Sequence, residues 1–194
     1  MTGGGPRGYN TVIRAREALS LEFEQVLALR RSTRRFLGCP VPAEDLETIL
    51  RAGQRAPLAA GDDRTTHLTL VGPGETLERI RAACRLKRKT GETVDAFYGA
   101  QALIVVSAAD LSEDSIEYAN AGCVIENMHL QAAALGLGSC YIWGSLRKLR
   151  ADPEAVALLR LPEGHEVLSA LAVGRAAEKL TPREYTPKMS VTRL

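Results

Sequence analysis

The apolar positions of this chain change period several times, and each change marks an element. Leu21 to Leu29 is an apolar, helix-like run in which Phe23, Val26, Leu27 and Arg30 fall near one face. A second helix is predicted from Pro42, with Glu44 and Asp45 in its first turn. It buries Leu46, Ile49 and Leu50, and Gly53 marks its end. Arg55 to Thr66 has no clear period and reads as a loop. His67-Leu68-Thr69-Leu70-Val71 is strand-like, and Gly72-Pro73-Gly74 stops it. Glu75 to about Lys89 is amphipathic through Leu77, Ile80, Cys84 and Lys87.

The second half is more apolar. Ala102-Leu103-Ile104-Val105-Val106-Ser107 is a continuous apolar run, which predicts a strand buried on both faces. A long helix follows from about Glu113 to Leu135. Apolar and small residues cover most of its circumference, too much for a helix with one solvated side. Gly136-Leu137-Gly138 ends it, and Ser139 to Trp143 returns as a short strand. Asp152-Pro153 starts another helix with Asp152 as N-cap, and Val167 to Val173 is the last strong strand. Helices alternating with buried strands predict a sheet covered by helices.

The 194 residues suffice for one core, and residues 1–20, opening Gly-rich and polar, read as a flexible extension to a domain spanning 21–194. They carry no apolar signal core, and no run reaches membrane-spanning length. A net charge of +2 with acidic residues spread throughout argues against a nucleic-acid binder. Cys39, Cys84, Cys123 and Cys140 form no CxxC and no metal-like spacing with the three histidines. Reduced thiols in a cytoplasmic protein without structural zinc are the expectation.

The chemistry-bearing residues begin with Arg30-Arg31-Ser32-Thr33-Arg34-Arg35. Guanidinium forks fit phosphate or carboxylate oxygens in pairs, and the hydroxyls add donors between them. The same residues also read as a solvated basic helix end. Gly136 to Gly144 places three glycines and Ser139 around a short strand ending in the only tryptophan, Trp143. Glycine permits positive φ and close approach, so a planar ligand can lie against the backbone at Gly144. Ala56-Pro57-Leu58-Ala59-Ala60-Gly61 is a loop of small residues. No acid–base pair or nucleophile triad is evident. His67, His129 and His165 are far apart in sequence and read as structural or surface residues. Cys140 reads as a buried, inert thiol.

Taken in order, these segments resemble the nitroreductase family of FMN-dependent oxidoreductases, from about Leu27 to Val191. Arg30 to Arg34 resembles the family's Arg-x-Ser-x-Arg/Lys phosphate motif. Ala56 to Gly61 is similar to its Ala-Pro-Ser-x-x-Asn loop, and Tyr118 to Gly144 to its central helix and following turn. The resemblance implies an α+β fold: a three-layer α/β/α sandwich with a central mixed sheet, in an intertwined homodimer with FMN at the interface. It implies that Arg30, Ser32 and Arg34 hold the phosphate and ribityl chain, with Arg31 on the flavin or ribityl region. Pro57, Leu58 and Ala59 would line the ring from the other subunit, and Tyr141 and Ile142 would cover one ring face. The backbone N–H of Trp143 or Gly144 would reach N5, and Lys188 matches a basic tail position near the phosphate. The tail after Lys179 would cross onto the other subunit.

This sequence departs from the family pattern where Leu58 and Gly61 replace the loop serine and asparagine, and where Asp63-Arg64-Thr65 follows. The expected activity is transfer of hydride from NAD(P)H through flavin N5 to an electron-poor acceptor such as a nitroaromatic, quinone or enone. The alternative is a flavin- or ligand-binding protein of the same fold without NAD(P)H turnover.

Overall fold

Two strands account for the longest apolar runs. In the computed structural model, which describes residues 22–194, β4 (Ala102–Ala108) is buried at all seven positions, and β6 (Glu166–Gly174) at all but its first. The expected extension 1–20 and Leu21 lie outside the described residues. Among the described residues, six strands and six α-helices follow one another: α1 (Phe23–Leu29), α2 (Ala43–Gly53), β1 (Thr66–Val71), α3 (Glu75–Ala83), β2 (Leu86–Lys87), β3 (Thr93–Val94), β4, α4 (Ile116–Ala134), β5 (Gly138–Ile142), α5 (Leu146–Arg150), α6 (Pro153–Ala157) and β6.

The main sheet has the order β1-β4-β6-β5, which explains why β4 and β6 are apolar on both faces. Its three ladders are antiparallel, and a parallel bridge between Ser32 and Ser139 at the free edge of β5 makes the pairing mixed. One face packs Leu103, Val105, Ala170 and Ala172 against Leu77 and Ile80 of α3, Leu146 and Leu149 of α5 and Ala155 of α6. The other packs Ile104, Val106, Leu171 and Val173 against Leu46 and Ile49 of α2 and Val124, Ile125 and Met128 of α4. Three layers result, with α4 spanning one face.

Local chemistry moved several expected boundaries. Gly53 is the last residue of α2, and its need for glycine is steric: a Cβ there would lie 2.8 Å from Met128 Cγ. The amphipathic stretch from Glu75 is helical only to Ala83. Arg85 to Val94 instead closes a short hairpin, with Gly91 at φ 86° in its turn and the Arg88 N–H donating to Glu92 O at 2.8 Å. The long helix starts at Ile116 rather than Glu113. Glu117 Oε2 accepts from the Ser112 N–H at 3.1 Å and hydroxyl at 2.9 Å, holding residues 112–115 in a turn with Ser115 left-handed at φ 58°. Within the Arg55–Thr66 loop, Ala59–Gly61 forms one 3-10 turn. Asp152 caps α6 as expected, accepting the Ala155 N–H at 3.1 Å, and α5 is a short helix that the pattern did not announce.

Candidate functional site

The arginine-rich segment is an extended arm, and backbone bonds fix it. The Thr33 N–H donates to Ser139 O at 2.8 Å, Phe36 to Tyr98 O at 3.2 Å and Leu37 to Arg175 O at 2.8 Å. The Ala177 N–H returns to Arg35 O at 3.0 Å. Thr33 and Phe36 are buried, while Arg34 and Arg35 are exposed. The arm therefore runs beside β5 with its guanidinium groups outward.

Arg31, Ser32, Thr33, Arg34 and Arg35 line an open cleft of about 290 Å³ with Ala176, Glu178, Lys179 and Leu180. Glu178 pairs with Arg35 at 3.1 Å, which leaves Arg31, Arg34 and Lys179 as excess positive charge. Ser32 and Arg34 thus line one cleft. Arg30 lies at the base of the arm rather than on the cleft wall: its Nε is 3.3 Å from Glu126 Oε1 of α4, and its carbonyl accepts from Arg183 Nη2 at 3.1 Å. Arg31 donates from Nε to Leu29 O at 3.3 Å and from Nη2 to Thr181 O. Lys188 is in the exposed tail and does not line the cleft; Lys179 does.

Behind the arm, Ser139 faces α4. His129, 2% exposed, shares a hydrogen bond between its Nδ1 and Ser139 Oγ. Burial, helped by the positive charge of Arg30, pushes its pKa down to about 4, so the imidazole is neutral near pH 7. Three buried polar atoms in this neighbourhood have no hydrogen-bond partner: Arg30 Nε, Thr33 Oγ1 and His129 Nε2. Burial raises the Cys140 thiol, against the opposing charge of Arg34 and a hydrogen bond from Ser32, as an inert thiol requires.

Strand alternation sorts the rest of β5. Ser139 and Tyr141 share one face of β5, and the chain carries on from it into Trp143. Cys140 and Ile142 point into the opposite core. The Ile142 side chain is buried in that core. Tyr141 and Trp143 are 36% and 50% exposed, with ring centroids 6.5 Å apart, and Trp143 meets Tyr118 of α4 edge-on at 5.3 Å. Gly144 is outside the left-handed region, and a Cβ there would meet open space. At ~3.3 Å per residue, Trp143 lies about 13 Å along the strand from Ser139.

Pro57, Leu58 and Ala59 do not line the arginine cleft. The Ala59 N–H donates to Asn120 Oδ1 of α4 at 2.9 Å, Ala60 and Gly61 adopt φ 54° and 66°, and Leu58 packs against the α2–α4 core. His67 and His165, distant in sequence, meet with ring centroids 5.9 Å apart, and Ser107 Oγ lies 3.2 Å from His165 Nδ1. Sequence reasoning missed Glu178 and Lys179, brought to the cleft by the chain leaving β6. It missed the His129–Ser139 contact as well. The donor-rich arm gave no sign of which strand it would join.

The description "Nitroreductase family" fits this chain over residues 27–175. A nitroreductase from Bacteroides fragilis, solved with bound FMN, is 32% identical, covers 90% of this chain and all of its own, and superposes with a TM-score of 0.73. An FMN-dependent nitroreductase from Clostridium difficile is 27% identical over 82% of this chain and 91% of its own, with a TM-score of 0.65. The NADPH:FMN oxidoreductase of Vibrio harveyi, complexed with NAD+, shares the fold at 23% identity and a TM-score of 0.65, covering 89% of this chain and 79% of its own.

Proposed function

Because this chain belongs to the nitroreductase family, we propose that it is an FMN-dependent oxidoreductase whose arginine arm holds the cofactor phosphate and whose Tyr141–Gly144 turn meets the flavin ring. Residues 21–194 form its single FMN-binding domain. The observation that carries the reading is the Ser32–Ser139 bridge. It ties a cleft with excess positive charge to the strand that leads to Tyr141 and Trp143.

The residues present fit a phosphate-bearing group. Arg34, Ser32 and Arg31 offer donors at the cleft, and Arg30 Nε and Thr33 Oγ1 behind it make no hydrogen bond within the folded chain, Arg30 Nε having only its ion pair with Glu126. Bound FMN supplies hydride acceptance and donation. The protein's part is to hold and orient. The arm fixes one end of the cofactor. The N–H of Trp143 or Gly144 stands as a donor for the ring edge and needs no ionisable side chain. Tyr141 and the Trp143 indole border the ring. Arg31 contacts the ribityl region, and Lys179 on the cleft wall adds positive charge for the phosphate.

The donor is NAD(P)H, and the acceptor an electron-poor small molecule such as a nitroaromatic, quinone or enone. The working form is a homodimer in which Pro57, Leu58 and Ala59 of one subunit reach the ring held by the other. This would cover Phe23 and Leu27 of α1 and the exposed Ile116, Ala119 and Cys123 stripe of α4. Arg183 stays on its own subunit, its N–H donating to Ala28 O at 3.1 Å, so any crossing of the tail begins after it.

A second reading, a flavin-binding protein without turnover, draws on Leu58, whose apolar side chain packs on the core and offers the ring edge no hydrogen bond. FMN titration tests the first step. Replacing Arg30 by Ala removes a contact worth roughly 1.5–3 kcal/mol. Parental affinity in Arg30→Ala removes the arm from the cofactor site, and an FMN-loaded protein that NAD(P)H does not reduce favours the second reading.

A further inference from the structure

Two buried nitrogens behind the arm, Arg30 Nε and His129 Nε2, make no hydrogen bond. Glu126 and His129 are three residues apart on α4 and so lie on one helical face. Arg30 reaches Glu126 on that face, and its charge is felt at His129. Arg30 Nε is ion-paired with Glu126 Oε1 at 3.3 Å but makes no hydrogen bond there. His129 Nε2 is the free end of a ring whose Nδ1 is engaged by Ser139, and no hydrogen bond satisfies it. A buried nitrogen that makes no hydrogen bond is costly, so a state in which one donates to the other is favoured.

We propose that His129 is the positioning residue of the phosphate site: in the FMN-loaded protein its Nε2 accepts the Arg30 Nε–H, which leaves both terminal amines of that guanidinium free for phosphate oxygens. The role rests on the FMN-phosphate reading of the arm. It requires the tautomer in which Nδ1–H donates to Ser139 Oγ and Nε2 carries the lone pair. The Ser139 bond fixes the ring plane, and the Thr33 N–H bond to Ser139 O ties the same residue to the arm, so one strand position orients both partners. Near pH 7 a neutral imidazole beside a permanent cation is the state that can accept. Glu126, about half exposed, is the competing acceptor that Arg30 leaves when phosphate binds.

Two substitutions separate this role from a structural one. The Asn side chain reproduces Nδ1, and the Gln side chain reproduces Nε2. FMN and riboflavin, which lacks the phosphate, are titrated into the parent, His129→Asn, His129→Gln and Arg30→Ala. The expected result is an FMN-over-riboflavin preference about tenfold weaker in His129→Asn and nearly parental in His129→Gln. The opposite order, an equal fall in both, or no fall in either overturns the inference. Arg30→Ala serves as the reference: a parental preference in that variant overturns the phosphate reading itself and this role with it. Nitrogen NMR of the FMN-loaded wild-type protein gives an answer free of substitutions. Protonation of His129 at Nδ1 is expected, and protonation at Nε2 contradicts the role.

Discussion

Thr33 and Gly138 touch so closely that no side chain fits between them. A Cβ on Gly138 would lie 2.8 Å from Thr33 Oγ1, 2.9 Å from its Cγ2 and 3.1 Å from Ala176 Cβ. Gly138 opens β5, and Thr33 is the buried residue of the arm, so this contact sets how near the arginine arm lies to the strand. Gly138→Ala is expected to destabilise the fold by about 1–3 kcal/mol through overpacking, read as a lower denaturant midpoint at unchanged slope. Adding Thr33→Ala should recover part of the loss, because the two sites share one clash. Additive losses would show that the contact does not limit the approach.

His129 gives the fold a definite pH dependence. Its folded pKa is about 4 against an ordinary 6.5, so between those values the unfolded chain binds the proton that the folded chain refuses. The contribution is fully present above pH 6.5 and is lost as pH falls toward 4. Its size is of order 3 kcal/mol. Denaturation curves across this window should show stability falling with pH, and His129→Gln should flatten that fall. An unchanged slope in the variant would assign the dependence to other groups.

Gly144 offers a substitution that reads the ring site without disturbing the fold. Its backbone is outside the left-handed region, and a Cβ there meets open space within the chain. Gly144→Val should therefore unfold close to the parental temperature while binding FMN more weakly or undergoing slower reduction by NAD(P)H. Parental FMN affinity and reduction rate in a folded Gly144→Val protein would remove the turn from the site.

The exposed apolar surface bears on assembly. Phe23 is 62% exposed, Leu27 40% and Ile116 38%, and Tyr185, Met189 and Val191 of the tail are more exposed still. Sedimentation at micromolar concentration should give a particle of twice the 21.0 kDa chain. A lone 21.0 kDa species would contradict a flavin site shared between subunits.

The layers were legible where one physical term dominates. The β4 and β6 runs are apolar because helices cover both faces, and Asp152 caps because its side chain satisfies an otherwise free N–H. The hairpin after Ala83 was hidden because helical periodicity carries through Cys84 to Lys87, while Gly91 and the Arg88–Glu92 bond decide the turn. At the site, donor density marked the arm, but its partner strand depends on the Thr33–Gly138 fit, which no local pattern encodes. That the Ile142 side chain points into the core follows from the alternation of β5, which the apolar pattern of so short a strand does not phase. His129 looked structural and is buried. Its relation to Arg30 depends on a tertiary contact through Glu126.

The most direct measurement is anaerobic titration of the purified, FMN-loaded protein with NADH and with NADPH, followed at the flavin's visible absorbance band. Bleaching by at least one nicotinamide, and recovery of the band on adding a quinone or nitroaromatic, is the result predicted for a flavin oxidoreductase. FMN that fails to bind, or that binds and stays oxidised with both donors, would contradict it.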